Sequence, residues 1–130
     1  MRPDVQNWID SAEYDLETAR HMLKTGRHLY VVFMCHLALE KMLKAHVALI
    51  TEALPAKSHD LIFLVKRAGL TLPQAHIEFI GLINTASIPT RYPEDLRRAL
   101  ADYPEPVARR YLQRTEEIAT WLKQPLTSEE

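Results

Sequence analysis

The sequence predicts an all-α fold: an up-and-down bundle of four to five helices with a long proline-rich loop before the last one. Apolar residues recur at steps of three and four along most of the chain, the spacing that gathers them on one face of a helix. No stretch alternates at period two with β-branched residues, and only three glycines occur in 130 residues. Near-half apolar content (47%) at this length suffices for one domain with its own core.

Taken in order, Val5, Trp8, Ile9, Ala12, Leu16, Ala19 and Leu23 make the apolar stripe of a first helix. Pro3 suits its first turn, and Gly26 closes it, being free to take positive φ at a helix end. A second helix is expected from about His28 to Thr51. Its first half, Leu29 to Leu39, is apolar on nearly every side, so it needs cover from several directions, by its own domain or by a second copy. Leu54-Pro55-Ala56-Lys57 breaks the pattern. Ser58 then reads as an N-cap with Asp60 in the first turn, opening a third helix that carries Leu61, Leu64, Val65 and Ala68 and ends at Gly69.

Pro73 can begin a fourth helix holding Ile77, Ile80, Leu82, Ile83 and Ala86. From Ser87 to Pro106 the four prolines and low apolar content predict a long ordered loop. A last helix is expected over about Glu105 to Lys123, burying Ala108, Tyr111, Leu112, Thr115, Ile118, Ala119 and Leu122. One domain over 1–124 and a frayed tail at 125–130 complete the expectation.

A formal net charge of −1 is not basic enough to demand nucleic acid through bulk electrostatics, so any anion site must be a local cluster. The single cysteine, Cys35, excludes an internal disulfide and a cysteine-rich zinc site, and its apolar neighbours predict a buried, inert thiol. No apolar signal core and no run near the ~20 residues that span a bilayer are seen, so no membrane association and a cytoplasmic location are expected.

Three segments interrupt the helical pattern with chemistry. His36, Glu40 and Lys44 lie four apart and share one face of the second helix, with Lys41 about 100° round and expected in solvent. Glu40 and Lys44 can be a plain i,i+4 ion pair beside a core histidine; His36, Glu40 and His59 can also be read as metal ligands, although no second ligand pair of similar spacing exists. His59 and Asp60 open a helix whose N-terminus is a weak anion site, or they only cap and pack. Arg91-Tyr92 can offer a planar guanidinium to phosphate and a ring to a base, or Tyr92 plugs the bundle while Arg91 neutralises Glu40. Arg97, Arg98, Arg109, Arg110 and Arg114 are interleaved with Glu94, Asp95, Asp102, Glu105, Glu116 and Glu117, which suggests a solvated mixed-charge face. There is no Gly-rich phosphate loop, Gly-x-Ser-x-Gly elbow or His-Glu-x-x-His pair.

His36-x-Ala38-x-Glu40-Lys41-x-x-Lys44-Ala45, Ser58-His59-Asp60-Leu61 and Arg91-Tyr92-Pro93, with Ala12-x-x-Asp15-Leu16-x-x-Ala19 and Gly26-Arg27-His28-Leu29-Tyr30, resemble the HEPN family of small helical proteins. The resemblance covers nearly the whole chain. It implies a helical bundle that dimerises, and a place beside a small nucleotidyltransferase in a two-gene, toxin–antitoxin-like module. Nuclease members of that family carry Arg, four to six residues, then His near the start of the last helix. Here no histidine follows His76, and the nearest approach is Arg98 with Tyr103, whose phenol, with an ordinary pKa of about 10, is a poor base at pH 7.

The leading expectation is therefore a homodimeric binding module for a nucleotide or polyphosphate, or for an associated nucleotidyltransferase. Its cleft would be lined by Glu40, Lys44, His59, Arg91 and Tyr92. Arg91 and Lys44 would hold phosphate, Tyr92 would stack a base, His59 would donate a hydrogen bond and Glu40 would orient Arg91. No catalytic residue, metal or cofactor is assigned. The alternatives are a metal-independent RNase using Arg98 and Tyr103, with RNA as its ligand, and a purely structural interaction protein.

Overall fold

A computed structural model of the chain describes residues 1–52, 55 and 57–127. Leu54 and Ala56 of the expected break, and 128–130 of the expected tail, lie outside the described residues. The fold is an all-α, up-and-down bundle. Among the described residues it has six helices: α1 (Pro3–Lys24), α2 (His28–Thr51), α3 (Leu61–Arg67), α4 (Gln74–Arg91), α5 (Leu96–Asp102) and α6 (Glu105–Thr127).

The ends of α1 and α3 follow from their glycines. Gly26 and Gly69 take φ of +79° and +67°, a region that costs other residues about 1–2 kcal/mol. Asp60, not Ser58, is the N-cap of α3: its Oδ1 accepts from the Ile62 and Phe63 amides at 3.1 and 3.3 Å. The Ser58 hydroxyl instead accepts from the Asp60 amide at 3.1 Å, which shapes the approach to the cap.

The expectation of four to five helices with a proline-rich loop is overturned between Ser87 and Pro106. There α4 continues to Arg91 and α5 is a separate helix, joined by short links. Each proline is compatible with helix where it stands. Pro89 and Thr85, the residue whose carbonyl loses its N–H partner, are both on the exposed face of α4, while Thr90 is buried and its hydroxyl bonds the Ala86 carbonyl at 2.8 Å. Pro93 and Pro104 fall in the links, and Pro106 lies in the first turn of α6, where a missing N–H costs nothing. By the same logic α6 passes the exposed Pro125 and buries Leu126. Leu82, expected in the core, is 55% exposed; Phe79 and Thr90 join Ile80, Ile83 and Ala86 on the buried face instead.

The centre of the molecule is α2, which packs against all five other helices. That contact explains its all-round apolar pattern within a single chain, and no second copy is needed to cover it. Cys35 is fully buried, and burial pushes its thiol up to about 12, as an inert core group should be. His46, unremarked in the sequence, is 5% exposed and ties α2 to α6 through Nε2 and the Leu122 carbonyl at 2.7 Å. Among the described residues no helix is long and apolar enough to cross a membrane.

Candidate functional site

One buried polar row runs along α2, and beside it Lys41 reaches across to α1. Lys41 does not simply reach solvent: its Nζ lies 2.9 Å from Oδ2 of Asp15, which is 5% exposed on α1. Burial raises the Asp15 carboxyl above its ordinary range, against the pull of Lys41. The sequence signal was available, since Asp15 occupies a core register between Ala12, Leu16 and Ala19.

The row itself is His36, Glu40 and Lys44. Glu40 is 4% exposed, and its two oxygens have separate partners: Oε2 takes Lys44 Nζ at 3.0 Å and Oε1 takes His59 Nδ1 at 2.9 Å. Lys44 also stands over the Trp8 ring at 5.6 Å, so α1 closes this end of the row. His36 is fully buried; its Nδ1 is 4.0 Å from Glu40 Oε1, too far for a hydrogen bond, and neither ring nitrogen has a partner among the described residues. Burial holds the His36 imidazole below its ordinary pKa, with Arg91 adding to that effect and Glu40 opposing it.

The arginine of the Thr90-Arg91-Tyr92-Pro93 segment does not meet Glu40. Arg91 is the last residue of α4, and its guanidinium stacks on the Phe33 ring of α2 at 4.8 Å. Its Nε is buried without a hydrogen-bond partner. Tyr92, the C-cap of α4, is 71% exposed rather than plugging the bundle. Glu40 therefore bonds His59, and Arg91 rests on an aromatic face.

A cavity of about 360 Å³ lies between the end of α4 and the segment before α3, lined by His59, Asp60, Asn84, Ser87, Ile88, Arg91 and Tyr92. It brings together three of the five residues expected in the cleft. Glu40 and Lys44 are not in its lining; Glu40 meets it through His59, and Lys44 bonds Glu40. Asn84, missed in the sequence, fixes the wall: its Oδ1 accepts from the Leu61 amide at 2.9 Å and its Nδ2 donates to Asp60 Oδ1 at 3.0 Å. Its signal was a polar residue four after Ile80, in a core register. With Asp60 and Asn84 accepting from the Leu61, Ile62 and Phe63 amides, the first turn of α3 offers no free donors to an anion. The backbone and Asn84 contacts hold the Asp60 carboxyl below its usual range.

Arg98 lies in a neighbouring hollow of about 370 Å³, with Ile88, Pro89, Tyr92, Pro93 and three carboxylates, Glu94, Asp95 and Asp102. Tyr103 is not in that lining; its ring packs edge-on against Tyr111 at 6.1 Å, and burial pushes its hydroxyl above the ordinary value, away from use as a base. Of the other arginines, Arg109 bonds Glu105, and Arg114 bonds Glu117 and the Ala75 carbonyl, the pattern of a mixed-charge face. Among the described residues no three His, Cys, Asp or Glu side chains are placed to hold a metal ion.

No match to a curated protein was found. Two solved structures share the fold over nearly their full length. TT1696 from Thermus thermophilus superposes with a TM-score of 0.79 at 22% identity, covering 95% of this chain and 98% of that one. ST0689, an archaeal HEPN homologue, superposes with a TM-score of 0.74 at 25% identity, covering 97% of this chain and 100% of that one. The family model described as the HEPN domain matches residues 5–125, almost the whole bundle, and the chain belongs to the HEPN domain family.

Proposed function

We propose that the chain is a binding module for a nucleotide or polyphosphate, taken up in the cavity at the end of α4. The observation that carries this reading is that His59 and the pair Arg91-Tyr92, from separate segments, line one cavity of about 360 Å³. That volume lies in the range of small-ligand sites, roughly 300–1,000 Å³. Arg91 supplies a planar cationic donor already aligned by Phe33, and Tyr92 a free ring on which a base can stack. His59 adds a donor or acceptor held in place by Glu40. Lys44 serves Glu40 and takes no part in holding phosphate.

The module acts as a homodimer. Leu96 and Leu100 are exposed at 54% and 49% on α5, a surface beside the cavity that a second copy would cover while leaving Tyr92 free. The partner protein that suits this reading is a small nucleotidyltransferase, whose substrates are of the class the cavity takes.

Isothermal titration with ATP and GTP tests the ligand. Saturable heat for the wild type, lost in Arg91→Ala and reduced in Tyr92→Ala, is the expected result; no heat with any nucleotide would reject the reading. Light scattering on the same samples should give twice the mass of the chain.

A further inference from the structure

Resting on that reading of the cavity, we infer that Glu40 is a positioning residue acting through His59, and that the end of the ligand it serves is a phosphate. His59 belongs to no helix and its side chain is 64% exposed. Its one hydrogen bond among the described residues is the 2.9 Å contact from Nδ1 to Glu40. A carboxylate can only accept, so the ring donates from Nδ1, which fixes the tautomer and leaves Nε2 for a ligand. Glu40 is in turn held by Lys44 at 3.0 Å, which sits against Trp8. A chain of contacts thus runs from α1 through the buried face of α2 to one ring nitrogen at the cavity.

The chemistry at that corner selects an anion. A phosphate oxygen at Nε2 needs a proton on that nitrogen too, so a bound phosphate and Glu40 would hold the ring between two anions, on a cavity that Arg91 also lines. The lining carboxylate, Asp60, stays charged, but its Oδ1 is engaged by two amides and Asn84 at the start of α3. Phosphate oxygens match the Arg91 guanidinium and an Nε2–H together, whereas a nucleoside offers the same corner only hydroxyls. Tyr92, more exposed at the mouth, is left for the base.

The test is titration of inorganic triphosphate, and separately of adenosine, into the wild type, His59→Ala, Glu40→Gln and the double variant. Triphosphate should bind the wild type, and each single substitution should weaken it about tenfold. In the His59→Ala background, Glu40→Gln should change the affinity less than about twofold, because Glu40 acts only through the ring. Nitrogen-15 imidazole spectra should show both ring nitrogens of His59 protonated in wild type with triphosphate bound, and that form lost in Glu40→Gln under the same conditions, a change that a purely structural role would not produce. If Glu40→Gln fails to fold, His59→Gln decides: its amide keeps a donor near the Nε2 position and should retain affinity that His59→Ala loses.

Equal weakening by Glu40→Gln with and without His59 overturns the positioning role. Heat with ATP or adenosine but none with triphosphate overturns the phosphate assignment and leaves the nucleotide reading standing. No heat with any of the three removes both.

Discussion

Lys44→Met isolates the energetics of the polar row on α2. Methionine keeps most of the lysine stem, so the apolar packing beside Trp8 survives while the charge disappears. Glu40, 4% exposed, would then face the core with only His59 on its Oε1. Removing one partner of a buried ion pair costs about 3–5 kcal/mol, and the surviving His59 contact places this case at the lower end, about 3 kcal/mol. With an unfolding entropy of about 2.1 cal/mol/K per residue over 130 residues, that corresponds to a drop in Tm of about 11 °C. Replacing both partners, as Glu40→Leu with Lys44→Met, removes the stranded charge and should return stability to within about 1 kcal/mol of the wild type. Urea unfolding and calorimetry at pH 7 measure both. A double variant as unstable as Lys44→Met would refute the reasoning, since the loss would then come from packing. A Tm drop of less than about 2 °C for Lys44→Met would show that Glu40 is not isolated from water at all.

Asn84→Ala should cost about 1–3 kcal/mol in urea unfolding, because the part-buried Leu61 amide loses its acceptor. In the same variant the Asp60 carboxyl should titrate at higher pH by NMR, having lost one of the donors that hold it down. Burial holds His36 and His46 below the ordinary 6.5 in the folded state. The unfolded chain therefore binds more protons, and their contribution is present above about pH 6.5 and lost as pH falls toward the folded values. Urea midpoints should decline from pH 7 to 5.5, and more shallowly in His46→Gln, whose amide can still reach the Leu122 carbonyl; an unchanged slope would show that His46 does not contribute.

The sequence by itself determined the elements whose evidence is local. Apolar spacing placed α1 and α2, and glycines able to take positive φ marked the ends of α1 and α3. The stripe from Ala108 to Leu122 gave the buried face of α6. The Glu40–Lys44 pair was equally legible, because i,i+4 geometry is a property of one helix. Tertiary structure decided what depends on which face meets the core. Pro89 and Pro125 are tolerated because they fall on exposed faces, which no local rule reveals, so the segment expected to be a loop became the end of α4 and α5.

The same holds for the site. The motifs singled out His59, Arg91 and Tyr92, but not that His59 would take the Glu40 carboxylate while Arg91 went to Phe33. That choice rests on the distance between segments 19 residues apart in the chain and brought together by packing. The all-round apolar α2 could have meant a covering partner or a central helix. Five helices packed around it in one chain gave the answer, because buried area is a property of the assembled bundle and not of the helix that supplies it.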